Sequence, residues 1–318
     1  MPGLSEVKYS QILTNIAIAY KNENFIADEV FPKLPSKNDT GYYFEKGREN
    51  FRLKETLRAP GTPAAKIDYS MTKHLYSTDE HALCGDIPKK FQKNAVSPIS
   101  PISDLTEELS ESMLLAKEKA TIDLITDYGT TFASYCQTLA TYNASTNPYY
   151  VYMDDYTNAD PFYIVSLLKR KMLKACGKYP NVMVINPDTE AVIANHPKEK
   201  ARHQYVKDLL QDTLPDTWNG LKIVRSLSIY DSSVEGATAT SDSFLFGNYI
   251  FLAYVEKNPG LWKSSMGHCY EHEPLKVKTW YDEVKDTTFV QLGFDYTLEV
   301  ISARCGFVVY NVLENVPT

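Results

Sequence analysis

Apolar side chains at Leu105, Leu109, Met113, Ala116, Ala120 and Leu124 recur at steps of three or four, laying one continuous stripe along a helix. The pattern predicts a helix from Ser103 to Gly129. Pro101 sits just upstream, Ser103 or Asp104 caps it, Glu107 completes a capping box from Asp104, and Gly129 stops it. At 1.5 Å per residue this is a rod of roughly 37 Å, long for a globular chain. Leu114, Leu115, Ile122 and Ile125 lie off the stripe, so the rod calls for a second packing partner, within the subunit or on a neighbour.

Upstream of the rod the pattern changes twice. Residues 1–40 read as an arm: Ile12, Ile16 and Ala19 or Tyr20 give a short helical pattern, Asn22-Glu23-Asn24 breaks it, and Pro32 and Pro35 hold the chain extended. So short a segment cannot make its own core and must pack on something else. From Gly41 to Cys84 the period becomes two. Tyr42-Tyr43-Phe44 begins one strand, and Ala65, Ile67, Tyr69 and Met71 alternate with polar residues on the return. Between them lie a segment dense in both charge signs, Arg48 to Arg58, and the turn dipeptide Pro60-Gly61, which suits a type II turn. Paired arms of about 15 residues reach on the order of 50 Å, against a radius of gyration of about 20 Å for a compact chain of this length. Either the ribbon overhangs and another molecule holds it, or it folds back as edge strands of a larger sheet.

A connector marked by Pro88, Pro98 and Pro101 delivers the chain to the rod, and an irregular Tyr-, Asn- and Thr-rich stretch, 138–158, follows it. Asp160-Pro161 then opens a helix with Phe162, Val165, Leu168 or Lys169, Met172 and Ala175 on one face and Gly177 at its end. The apolar run 181–186 reads as a strand buried on both faces, and Pro187-Asp188 opens a third helix. Helix, strand, helix in this order implies a small α/β subdomain. Further strands are expected at 221–227, 244–246, 249–255, 275–281, 287–292, 296–301 and 306–312.

Composition narrows the function classes. The chain has 318 residues, 33 Lys plus Arg against 40 Asp plus Glu, and a net charge of −7, which disfavours a surface built to grip nucleic-acid phosphates. Its 23 tyrosines raise the expectation of extensive subunit contact, beside the alternative of a Tyr-rich core. The five cysteines form no CxxC pair and are expected to be reduced and mostly buried thiols. No apolar run is long enough to cross a bilayer as a helix, and no secretory leader is evident, so an intracellular product is expected.

Phosphate-cradling loops, a dinucleotide fingerprint, a nucleophile elbow and an HExxH motif are all missing from the sequence. The best metal candidate is His268-Cys269-Tyr270-Glu271-His272-Glu273, where two histidines four apart would share a helix face; the tight bracket of Gly267 and Pro274 favours a polar loop instead. His196 and His203, beside Lys198, Lys200 and Arg202, read as a solvated helix face with a weak anion-contacting site as the second reading. Asp154-Asp155 is a carboxylate pair in sequence only, because neighbours on an extended segment point to opposite faces.

The order of these parts resembles the tailed-bacteriophage major capsid proteins. Ile26-Ala27-Asp28-Glu29-Val30-Phe31-Pro32, Gly41-Tyr42-Tyr43, Arg58-Ala59-Pro60-Gly61-Thr62 and Ile67-Asp68-Tyr69 are similar to the N-terminal arm and extended loop of that family, and 104–128 looks like its spine helix. The resemblance implies an α+β fold of the Hong-Kong-97 type. Its parts would be an N-terminal arm at 1–40, an extended β-hairpin loop at 41–85, a peripheral domain from 86–165 and 271–318, and an α/β axial domain at 166–270. It implies a self-assembling, non-enzymatic subunit of an icosahedral head enclosing double-stranded DNA without sequence-specific binding. The partners would be copies of the chain itself in hexameric and pentameric capsomers, with scaffold, portal and decoration proteins, and no membrane. No catalytic residue, cofactor or metal is assigned. Arg48, Arg52, Arg58, Pro60 and Gly61 are the expected inter-subunit contacts. Some members of the family cross-link through a Lys of the loop; Lys46, Lys54 and Lys66 lie there, none is singled out, and no cross-link is assigned. The rival readings are an encapsulin-like compartment for cargo protein, told apart by what co-purifies, and a metal-dependent enzyme built on His268, Glu271 and His272.

Overall fold

The computed structural model of the chain describes residues 8–9, 25–46, 52–54, 56–58, 60–64, 66, 71–94, 100–202, 213–231, 242–258, 260 and 263–315. The helical pattern expected at 12–20 lies outside them, as do Arg48, Ile67-Asp68-Tyr69 and His203.

The path begins with β1 (Lys8–Tyr9), α1 (Ala27–Val30), β2 (Lys33–Pro35), β3 (Thr40–Lys46) and β4 (Met71–Ser77). β5 (Asp79–Pro88) and α2 (Lys89–Asn94) lead to the long helix α3 (Pro101–Thr126). Next come β6 (Cys136–Thr138), α4 (Pro161–Cys176), β7 (Val182–Ile185), α5 (Pro187–Asn195) and α6 (Pro197–Arg202). β8 (Thr217–Trp218), β9 (Leu221–Arg225), β10 (Ile229–Asp231), β11 (Asp242–Phe244) and β12 (Tyr249–Ala253) follow. The hairpin β13 (Gly267–Asp282) and β14 (Thr287–Val300), a 3-10 turn at Ala303–Cys305 and β15 (Gly306–Tyr310) close the described path.

Two sheets organise the core. In the first, β14 lies between β13 and β5, while β1 and β2 pair with the far edge of β13. Val290, Leu292, Phe294 and Tyr296 of β14 point at α3 and join Met113 in one apolar cluster. The second sheet has the order β6-β15-β12-β7-β9-β8, and both faces are covered. Val184, Phe251 and Val308 pack on the α3 side, whereas Met183, Leu252 and Val309 pack on the α4 and α5 side. That double burial is why β7 is a continuous apolar run instead of an alternating one.

Helix α4 matches the expectation at both ends: Asp160 accepts the Tyr163 N–H, Pro161 is the first helical residue, and Gly177 ends it at φ 76°. Helix α3 departs from it at both ends and in phase. It starts at Pro101, not after it, because the fixed φ and missing N–H of proline suit a first turn; Ser100 occupies the cap position, without a side-chain cap bond. It stops at Thr126, before Gly129. Asp127 ends it by accepting the N–H groups of Thr130 at 3.0 Å and Thr131 at 3.1 Å, and their hydroxyls hold its carboxyl well below the usual range. The buried row is Thr106, Ser110, Met113, Lys117, Thr121 and Ile125, largely one position on from the apolar stripe. Leu105, Leu109 and Leu124 reach the core from its margin, and Ala116 is exposed. The spacing is helical as expected, but Thr106 and Thr121, bonded to carbonyls of the preceding turn, and Lys117 and Glu118, with partners near α1, occupy much of the buried face.

The closing region also differs. One 16-residue strand, β13, replaces the expected polar loop at 268–273 and the strand after it, with bulges in its register between Glu271 and Lys276, around Pro274. Likewise β14 joins two expected strands. β15, expected among the return strands of the 271–318 piece, lies in the second sheet between β6 and β12.

Candidate assembly surfaces

The ribbon β3–β4 is antiparallel with Thr40 opposite Ser77 and Lys46 opposite Met71. The described part of its return strand runs from Met71 to Ser77; Ala65 and 67–70, where the alternation places the rest, lie outside the described residues. β5, placed within the ribbon by its period, instead pairs along β14. One face of the ribbon base docks on the first sheet through an aromatic stack: Tyr76 lies on Tyr270 at 3.9 Å between centroids, and Tyr43 stacks on His74 at 5.1 Å. Ser36 and Tyr76 share a hydroxyl hydrogen bond of 3.0 Å. Gly41 is required there, since a Cβ would sit 2.4 Å from the Tyr76 hydroxyl oxygen. Burial, with Glu299 and Glu45 nearby, pushes the Tyr43 phenol up to about 12. The opposite face is open: Tyr42 and Leu75 are exposed, and the Lys73 ammonium lies 3.4 Å over the Tyr42 ring.

Beyond the base, Arg52, Leu53, Lys54, Thr56, Leu57, Arg58, Pro60, Gly61 and Lys66 are exposed. Gly61 has φ 83°, the left-handed value that the second central position of a type II turn needs, and Arg58 Nε donates to the Thr62 carbonyl across it. Leu53 and Leu57 are 103% and 90% exposed, and neither is among the contacts expected from sequence, Arg48, Arg52, Arg58, Pro60 and Gly61.

The arm is fastened to α3 by buried charge. Glu118, with no exposed surface, accepts the Ile26 and Ala27 N–H groups at 3.0 Å and the Ser228 hydroxyl at 3.3 Å. It thus satisfies the free N–H groups at the start of α1. Burial raises the Glu118 pKa, and those hydrogen bonds only partly offset the effect. Beside it Lys117 donates to Asp28 at 2.9 Å, with Lys33 at 3.1 Å on the other oxygen. Burial acts against both charges, yet the Asp28 carboxyl is held below its usual value by Lys117 and Lys33, and Lys117 stays above its own through negative neighbours that include Asp28.

The other candidate chemistry resolves into structural roles. His196 is fully buried, not on a solvated face; its Nδ1 accepts the Lys198 N–H at 3.2 Å, and burial lowers its pKa. Lys198 donates to the carbonyls of Thr157, Asn158 and Ala159, Lys200 to Asn195, and Arg202 bidentately to Asp160 and also to Glu199, so these cations serve the fold and not an anion site. Asp154 accepts the N–H groups of Glu314 and Asn315, and Asp155 those of Thr157 and Asn158. His268 and His272 lie on a strand, about 13 Å apart by its rise, which is too far to share one zinc ion. His268 is buried, and among the described residues neither ring nitrogen has a hydrogen-bond partner, whereas His272 Nδ1 meets the Ser36 carbonyl at 3.3 Å. Among the described residues no group of three His, Cys, Asp or Glu is placed to hold a metal ion. Cys84 is exposed and Cys136 and Cys176 are half-buried, so the expectation of mostly buried thiols holds for Cys269 and Cys305 alone.

No family model matches the chain. In sequence it is 28% identical over 187 residues to the major capsid protein of Pseudomonas phage JBD67, a match spanning 58% of this chain and 56% of that relative. It is 24% identical over 254 residues to the major capsid protein of Burkholderia phage BcepMu, covering 78% of this chain and 77% of that one. In structure it superposes on a phage-related protein from Bordetella bronchiseptica with a TM-score of 0.73 at 20% identity, covering 98% of this chain and 99% of that one. On the mature capsid of bacteriophage PhiM1 the TM-score is 0.63 at 12% identity, covering 93% and 89%. The fold is the α+β capsid fold of the Hong-Kong-97 type. Within that class the chain is a sequence relative of phage major capsid proteins.

Proposed function

We propose that the chain is a major capsid protein, the repeating structural subunit of an icosahedral phage head that encloses double-stranded DNA. The reading is carried by one conjunction: sequence similarity to two phage major capsid proteins on a chain of which 93% is covered in superposition on a mature phage capsid. The role is non-enzymatic. The chain would be made in the host cytoplasm, end in the virion, and join copies of itself in hexameric and pentameric capsomers, with scaffold, portal and decoration proteins as further partners. In this scheme 1–40 is the arm, 41–85 the extended loop, 86–165 with 271–318 the peripheral domain, and 166–270 the axial domain.

The mechanism is geometric. The stacked tyrosines of the ribbon base fix its direction relative to the first sheet, and the tip, with Arg48, Arg52, Arg58, Pro60 and Gly61, lies across a neighbouring subunit. The net charge of −7 limits adhesion of packaged DNA to the shell wall. Deleting residues 48–62 tests this reading. A folded subunit that no longer forms particles is expected, and normal particles from the deletion would overturn it. Double-stranded DNA inside particles isolated from phage supports the head; a cargo enzyme in its place would favour a compartment.

A further inference from the structure

Two thiols far apart in sequence meet where the chain crosses between its sheets. Cys176 is the last residue of α4, and Gly177 turns the chain immediately after it. Cys305 closes the 3-10 turn that carries the chain from β14 in the first sheet to β15 in the second. That turn packs against α4, and Cys176 packs on the buried apolar cluster that contains Cys305. Cys305 is 2% exposed, whereas Cys176 is half-buried at the rim of the same apolar cluster.

The surroundings hold both sulfurs in place. The Cys176 sulfur accepts the Lys178 N–H at 3.4 Å, and its S–H donates to the Lys178 carbonyl at 3.2 Å. The Cys305 carbonyl accepts the Tyr254 N–H at 2.8 Å. The Lys178 ammonium is kept nearby, 4.1 Å from the centre of the Tyr254 ring and 3.3 Å from the Ser264 carbonyl oxygen. The chain thus has a half-buried thiol beside a cation, backed by a second, buried thiol, which is the arrangement of an attacking and a resolving cysteine.

We infer that Cys176 and Cys305 are an oxidation site, a thiol pair that a peroxide converts into an intramolecular disulfide pinning α4 to the turn between the two sheets. The Cys176 thiolate attacks one oxygen of hydrogen peroxide, giving a sulfenic acid and one water. The Cys305 thiol then attacks the sulfenic sulfur, forming the S–S bond and releasing a second water. Two thiols lose two electrons, and one peroxide gains them. Contact with Cys305, with the Lys178 N–H and charge, lowers the Cys176 pKa to about 7, and contact with Cys176 and burial push Cys305 up, so Cys176 is the attacking group.

The test is to treat the purified full chain with a small excess of hydrogen peroxide, unfold it, alkylate the remaining thiols and map the peptides by mass. Two of the five thiols are expected to become unreactive and to reappear after reduction, with one linked peptide pair joining 176 to 305. Cys84→Ser, which removes the exposed thiol, should leave that link intact; Cys176→Ser should abolish it. Five alkylatable thiols after treatment, a link through another pair, or Cys176 recovered only as sulfinic acid would each overturn the inference.

Discussion

The Glu118 carboxylate, in the middle of the long helix, holds the backbone N–H of Ile26 with both of its oxygens at 3.0 Å, across 92 residues of sequence. It turns a helix of four residues, α1, into a docked element, because a single turn has no intrinsic stability and its free N–H groups need an acceptor. Glu118→Gln keeps the shape and offers a donor where an acceptor is needed. It should lower stability by about 2 kcal/mol or more and expose the chain near Phe25 to protease. Thermal melting and limited proteolysis check both; an unchanged digest would mean that Glu118 does not hold the arm.

Gly267 opens β13 where the arm passes over it. A Cβ there would lie 2.4 Å from the Phe31 ring and 2.7 Å from the Glu299 carbonyl oxygen, and Phe31 is fully buried, so neither neighbour can yield easily. Gly267→Ala should cost about 1–3 kcal/mol, read as a lower denaturant midpoint. Gly293→Ala, whose nearest atom would be 3.6 Å away, is the control expected to change much less.

His268 is buried with no hydrogen-bond partner for either ring nitrogen among the described residues, and burial lowers its pKa. A histidine with a depressed folded value contributes stability above its unfolded value, about 6.5, and that contribution is lost as the pH falls towards the folded one. His268→Leu, close in volume and unable to titrate, should therefore gain stability relative to the parent between pH 7 and pH 5. Equal pH slopes in denaturant titrations of the two proteins would refute this.

Leu53 and Leu57 project from the ribbon tip with nearly all of their surface exposed. Replacing both by Asp should leave the melting temperature of the isolated subunit unchanged and abolish particle formation. Sedimentation of the variant measures the second effect, and particles at the parental yield would remove these leucines from the assembly surface.

Sequence exposed those parts of the fold whose causes are local. Asp160, Pro161 and Gly177 bound α4 through its own turns, and β7 reads as a buried strand because both faces of its sheet are covered. The phase of α3 was hidden, because Lys117 and Glu118 look like solvent residues until Asp28, Ile26 and Ala27 are placed against them. β13 was hidden for a different reason: Pro274 and the bulges around it break the alternation that marks a strand. Of the candidate surface, the turn at Pro60-Gly61 was legible from its dipeptide. Leu53 and Leu57 were not, because an apolar residue in a charged loop signals nothing until its exposure is known.

Whether this chain builds a closed shell from copies of itself is measured most directly by the mass of the purified protein in light scattering, followed by negative-stain imaging of the heavy fraction. Particles or rings of many subunits are predicted. A species at the 36.0 kDa of one chain that stays monomeric at raised concentration and under crowding would contradict that prediction.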